Sequence, residues 1–161
     1  MTDPTTLVAK HRTQGAIIDT NLLLLWVTGL VRQELIGTDR LRKFTASDFP
    51  ILQNLISKFD RLVATPHIVT EVDNLSRQIG EWQHENVSTV ISSLLGKTLE
   101  IYVASRTCSL LEVYAKVGIT DASIFVASNE YLVITDDFKL SGKLSAMKRD
   151  VLNFHHIRQL I

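Results

Sequence analysis

The chain has 161 residues, 45% of them hydrophobic and 21% charged, and its 17 basic and 17 acidic side chains cancel. That length suits one domain with a buried core, while a formal charge of zero removes any bulk electrostatic reason for a polyanionic partner, so nucleic-acid contact would rest on local patches. The single cysteine, Cys108, excludes an intramolecular disulfide and a cysteine-built zinc cluster, and its apolar neighbours mark it as a small core residue.

Residues 1–14 are polar, carry a small basic cluster at Lys10, His11 and Arg12, and read as a flexible N-terminal segment ahead of one domain over 15–161. No apolar run of the kind that opens a secretion signal follows the start, so a cytoplasmic location is expected. Ala16-Ile17-Ile18 reads as a short strand apolar on both faces, as in a covered parallel sheet. From Asn21 to Gly37 the leucine-rich pattern predicts a helix. Its longest apolar stretch, Leu22 to Val31, is interrupted at Thr28 and Gly29 and is too short to cross a bilayer. The run Leu22 to Trp26 is apolar all round and offers more surface than one sheet face needs, which predicts burial on several sides and a homodimer as one way to achieve it.

A polar connection with Arg40, Arg42 and Lys43 leads to a helix over about Ser47–Phe59, then to the strand Leu62-Val63-Ala64. Thr65-Pro66 starts the next helix, since proline is at home in a first turn. Helices over about Asn86–Leu95 and Leu110–Val117 flank a strand over Leu99–Ala104, and Gly118 ends the second of them. Thr120 reads as the cap of a helix over Asp121–Ser128, Leu132–Ile134 as a strand, Leu140–Lys148 as a helix, and Val151–Phe154 as a last strand. Strands separated by helices of this length need crossover connections and a parallel sheet.

Two of these strands stop abruptly at acids, Ile18 at Asp19 and Ile134 at Thr135-Asp136-Asp137. Glu71 lies in the helix after the second strand, and Asp121 opens the helix after Thr120. In a parallel sheet the carboxyl ends of strands share one edge, so these acids can converge there. Gathered carboxylates repel one another and lose water, which raises their pKa values unless a cation neutralises them. Oxygen-only donors suit Mg²⁺ or Mn²⁺, and such an ion can assist hydrolysis of a phosphodiester. Each acid taken singly has an ordinary explanation as a cap or a turn residue; the combination is what points to metal chemistry.

The segments Ile17-Ile18-Asp19-Thr20-Asn21-Leu22-Leu23, Thr70-Glu71-Val72, Thr120-Asp121-Ala122 and Val133-Ile134-Thr135-Asp136-Asp137-Phe138 together resemble the PIN domain, the fold of many metal-dependent ribonucleases including toxins of the VapC type. The likeness covers nearly the whole chain. It implies an α/β/α sandwich around a five-stranded parallel sheet ordered 3-2-1-4-5, and a Mg²⁺- or Mn²⁺-dependent endoribonuclease. It further implies Asp19, Glu71 and Asp121 as metal-binding catalytic acids, Asp136 or Asp137 as the fourth, and Asn21 and Thr135 as groups that orient them. Partners implied are RNA and, for a toxin, a protein antitoxin. Arg40, Arg42, Lys43, Lys139 and Lys143, with Lys148 and Arg149 beyond them, are the local cations available to RNA phosphates.

Three other features carry less. His67 falls near Glu71 by helical spacing, His155-His156 would face opposite ways if extended, and Trp26 and Trp82 read as packing residues. Two competing functions remain. A haloacid-dehalogenase-like phosphohydrolase also uses acids on a parallel sheet, but would want a second aspartate where this chain has Asn21. A PIN-like module that binds without catalysis would keep the acids and lack turnover.

Overall fold

The computed structural model describes residues 3–79 and 84–158. Five strands form a single all-parallel sheet in the order β3-β2-β1-β4-β5: β1 is Ala16–Ile18, β2 Leu62–Ala64, β3 Thr98–Glu100, β4 Leu132–Thr135 and β5 Val151–Asn153. Registers fix the neighbours, with Ile17 opposite Val63 on one side and Val133 on the other, and Ile134 opposite Leu152. The three inner strands are buried at every position, the edge strands only in part, as expected of a sheet covered on both faces. Ile17 and Ile18 have almost no exposed surface, and each contributes about 1.5–3 kcal/mol through burial.

The helices among the described residues are α1 Pro4–His11, α2 Thr20–Val31, α3 Asp48–Ile56, α4 Pro66–Ser76, α5 His84–Leu95, α6 Ser105–Ser109, α7 Tyr114–Ala127, α8 Phe138–Ala146 and α9 Phe154–Arg158. The connections from β1 to β2 and from β2 to β3 carry α2 to α5, of which α2 packs on each of the others, and the right-handed rule for such crossovers places them on one face of the sheet. The connections that run back to β4 and on to β5 put α6 to α8 on the other, giving the three-layer α/β/α sandwich expected from the sequence.

Several local expectations change. The N-terminal segment is a helix rather than a flexible lead-in. Asp3 caps it by accepting from the Thr6 N–H, Leu7 is buried, and both Lys10 Nζ (2.5 Å) and His11 Nε2 (2.7 Å) reach the Asp150 carboxylate just before β5. Hydrogen bonds from Lys10 and His11 hold Asp150 below the usual carboxylate range. The long helix expected to Gly37 ends at Val31 and gives way to two short 3-10 turns, Gln33–Leu35 and Asp39–Leu41. The histidine pair lies in α9 and not in extended chain, because the Asn153 side chain accepts from the His155 N–H and turns the backbone into a helix directly after β5.

The apolar surplus of α2 is satisfied within the chain, for it packs on α3, α4 and α5, and only Leu30 among its leucines is exposed. The reason given for a dimer therefore falls away. Gly29 is part of that packing. A Cβ built there would meet the Phe49 ring of α3 at 2.1 Å, closer than any real carbon contact. Trp26 packs against the core as expected, Trp82 lies outside the described residues, and no described helix is long and apolar enough to cross a membrane.

Candidate active site

The acids come together because each is tied to the start of an element. Asp19 follows β1 and caps α2, accepting from the Leu22 N–H at 2.8 Å through Oδ1. Its Oδ2 accepts from the Thr135 hydroxyl at the end of β4 and from the Asp136 N–H at 3.2 Å, so one oxygen is held by the first turn of α2 and the other by the end of the adjacent strand. The Asp137 N–H in turn donates to the Thr135 Oγ1 at 3.0 Å. Asp137 caps α8, with the Lys139 and Leu140 N–H groups both falling on its Oδ1.

Glu71 sits on the second turn of α4, where its Oε2 accepts from the Thr20 hydroxyl at 3.4 Å. Asp121 follows the break in α7 at Gly118, whose φ of 79° and ψ of 179° interrupt the helix in a region glycine enters without strain. The sequence marks that stop correctly, but Thr120 lies already inside the resumed helix and is not its cap. Two buried hydroxyls fix α4 against α7. Thr65, which caps α4, lies 2.8 Å from Ser123 on α7, and Ser123 donates to the Thr120 carbonyl.

Asp19, Glu71, Asp121 and Asp137 line one cleft of about 340 Å³, with Thr20, Asn21, Arg40 and Thr120 among the other lining residues. The N-termini of α2 and α8 and the resumed half of α7 all open onto it. This separates the two adjacent acids. Asp137 borders the cleft, whereas Asp136 is ion-paired through its Oδ2 with Lys43 of the α2–α3 connection and leaves its buried Oδ1 without a hydrogen-bond partner.

Electrostatics bear out the crowding. Burial pushes Asp19 up to about 7, with the Asp136 charge adding to the rise and the three hydrogen bonds opposing it. Burial also pushes Asp121 up to about 6, reinforced by the Asp137 and Glu71 charges and opposed by Lys143. Both groups hold protons more tightly folded than unfolded. Their contribution to stability is thus in place below about pH 4 and is lost as pH rises through about 6 to 7. Thermal unfolding in metal-free buffer should show a melting temperature that falls between about pH 4.5 and pH 7.5, and Asp121→Asn should flatten the fall. A profile that rises over that range, with the variant parallel to it, contradicts the reading.

The remaining residues divide plainly. Thr135 touches Asp19, while Asn21 lines the cleft and the side chain that reaches Glu71 is its neighbour Thr20. Arg40 lines the cleft, Lys43 holds Asp136, and Lys143 is close enough to Asp121 to favour its charge. His67 hydrogen-bonds Ser105 at 2.8 Å and borders a shallower groove shared with Glu71 and Thr120. Cys108 is fully buried, and burial pushes its thiol up. The contacts from Thr20, Thr65 and Ser123 escaped the sequence reading because their partners lie 51 to 58 positions away.

The donor set of the cleft, carboxylates with a hydroxyl or two, is the chemistry that hard divalent cations prefer. Among the described residues, however, no group of three or more His, Cys, Asp or Glu side chains is gathered so that it could hold one ion. The fit is therefore to Mg²⁺ or Mn²⁺ held by one or two carboxylates and otherwise by water, which is the usual habit of Mg²⁺. No protein-family model, curated protein or solved structure matches the chain.

Proposed function

We propose that the chain is a Mg²⁺- or Mn²⁺-dependent endoribonuclease of the PIN type. The observation that carries this reading is the single cleft lined by Asp19, Glu71, Asp121 and Asp137, acids drawn from four elements to one edge of a parallel sheet. Cleft-lining carboxylates of raised pKa are groups whose charge awaits a cation, and such perturbed acids concentrate at functional sites. One or two of Asp19, Glu71, Asp121 and Asp137 would hold the metal directly, and the others would meet it through its water shell. The ion supplies Lewis-acid stabilisation of charge developing on a phosphodiester, and an activated water.

The protein's own contributions are orientation and charge. Thr135, the Leu22 N–H and the Asp136 N–H fix both oxygens of Asp19 in place. Arg40 at the cleft wall and Lys143 beside Asp121 offer cationic groups to a phosphate backbone, the local patches that a chain of zero net charge requires. The likeness to VapC-type toxins extends the proposal to a toxin neutralised by a protein antitoxin.

Purified protein should cleave labelled single-stranded RNA with Mg²⁺ or Mn²⁺ and stop when the ions are chelated. Mn²⁺ should also raise the melting temperature, through neutralisation of Asp19 and Asp121. A second reading, a PIN-like module that binds without turnover, is favoured by the lack of a ready-made three-ligand group among the described residues. Absence of both cleavage and a Mn²⁺-dependent thermal shift would select it.

A further inference from the structure

Phe138 is the first residue of α8 and follows Asp137 of the cleft directly, yet it is 56% exposed. Of the large apolar side chains exposed among the described residues, it is the one whose chain neighbour lines the carboxylate cleft. Leaving more than half of a phenylalanine exposed forfeits burial energy, and the ring's orientation is nevertheless specified. Its ring meets His155 edge to face at a centroid separation of 5.1 Å and His156 at 5.9 Å, both in α9.

The His155 imidazole is itself anchored. His155 Nδ1 accepts from Arg158 at 2.7 Å, Arg158 also reaches the buried Asp48 of α3, and Asn153, which accepts from the His155 N–H, donates to Ser141 of α8. The ring is thus braced by a network spanning α3, α8 and α9 while remaining open to solvent. Lys139 is exposed immediately beside it, Lys143 lies one turn along the same helix, and Arg40 lines the adjoining cleft. A fixed, accessible aromatic ring with cationic side chains along its own helix and in the adjoining cleft is a combination that binds unpaired bases by stacking and their phosphates by charge. A partner protein would meet the same ring amid cations, without the apolar continuity that protein interfaces favour.

We infer that Phe138, braced by His155 and His156, is a stacking platform for a base of single-stranded RNA whose backbone runs past the carboxylate cleft. This rests on the ribonuclease reading above and assigns Phe138 the contact with a base of the unpaired strand. Bases in a duplex are already stacked on one another and cannot lay a face on the ring.

The test is binding of a short fluorescein-labelled RNA, single-stranded or annealed to its complement, followed by fluorescence anisotropy in chelator so that no cleavage occurs. Phe138→Ala should weaken single-strand binding about tenfold or more, the scale of one lost base–aromatic contact. Phe138→Trp should restore it, Phe138→Leu should not, and duplex binding should change less than about twofold. Circular-dichroism melting of each variant checks the fold at this exposed position. Equal loss for strand and duplex, or full binding by Phe138→Leu, overturns the platform. The two readings fail separately. RNA cleavage with binding indifferent to Phe138 removes the platform and leaves the nuclease. Phe138-dependent binding without any metal-dependent cleavage removes the nuclease and leaves the platform.

Discussion

Replacing Asp121 or Asp19 with asparagine should lower metal-dependent RNA cleavage by about a hundredfold or more, the scale on which a single electrostatic group at a reacting centre counts. The substitution keeps size and removes the charge that would hold a cation. At Asp121 the same change should make the metal-free protein more stable at neutral pH, whereas at Asp19 it should not, because the amide NH2 would face one of the donors that hold the carboxylate. Asp121 lies in a site where burial, Asp137 and Glu71 all oppose its ionisation, so the neutral amide relieves a conflict that the native carboxylate carries. Activity and stability should therefore move in opposite directions at Asp121, as at sites held strained for function. Cleavage rates under Mn²⁺ and melting curves under chelator measure the two. Cleavage that survives in both variants would mean that the hydrolysis comes from elsewhere.

Gly29→Ala should destabilise the fold by about 3 kcal/mol or more, at the upper end of what overpacking costs. The added methyl would fall 2.1 to 2.5 Å from three carbons of the Phe49 ring, and Phe49 is itself buried between α2 and α3. A whole ring cannot step aside as a flexible side-chain end can. On an exposed helix the same substitution would stabilise by about 1 kcal/mol, so the sign alone is diagnostic. Phe49→Leu in the Gly29→Ala background should recover part of the loss, giving a coupling energy that a denaturant-melt double-mutant cycle reads directly. Additive effects would show that the close approach is not the cause.

What the sequence reveals here depends on the distance over which each feature is determined. Strands β1, β2 and β4 are legible because they are short and, but for the Thr135 that closes β4, apolar, both local properties. The stop at Gly118 is legible for the same reason. The strand order followed from resemblance to a family, since crossovers alone leave the permutation open. Helix α1 was missed because what orders it is remote: Lys10 and His11 meet Asp150 from 140 and 139 positions away. The competition between Asp136 and Asp137 could not be decided locally either. Adjacent acids after a strand look equivalent until Lys43 takes one of them. The aromatic group at Phe138, His155 and His156 exists only once α8 and α9 are folded side by side.

The three helices that open onto the cleft bear on how an acidic site in an uncharged protein can meet a polyanion. The start of each helix carries roughly half a positive charge from its aligned peptide dipoles. Asp19 and Asp137 cap two of these ends, and Asp121 lies in the first turn of the third. Much of the local negative potential is thereby offset by backbone that cannot titrate, dissociate or be washed away by salt. The field at this edge is therefore closer to neutral than the count of carboxylates suggests, and that is the field a phosphate backbone and a divalent ion would meet under the proposed function.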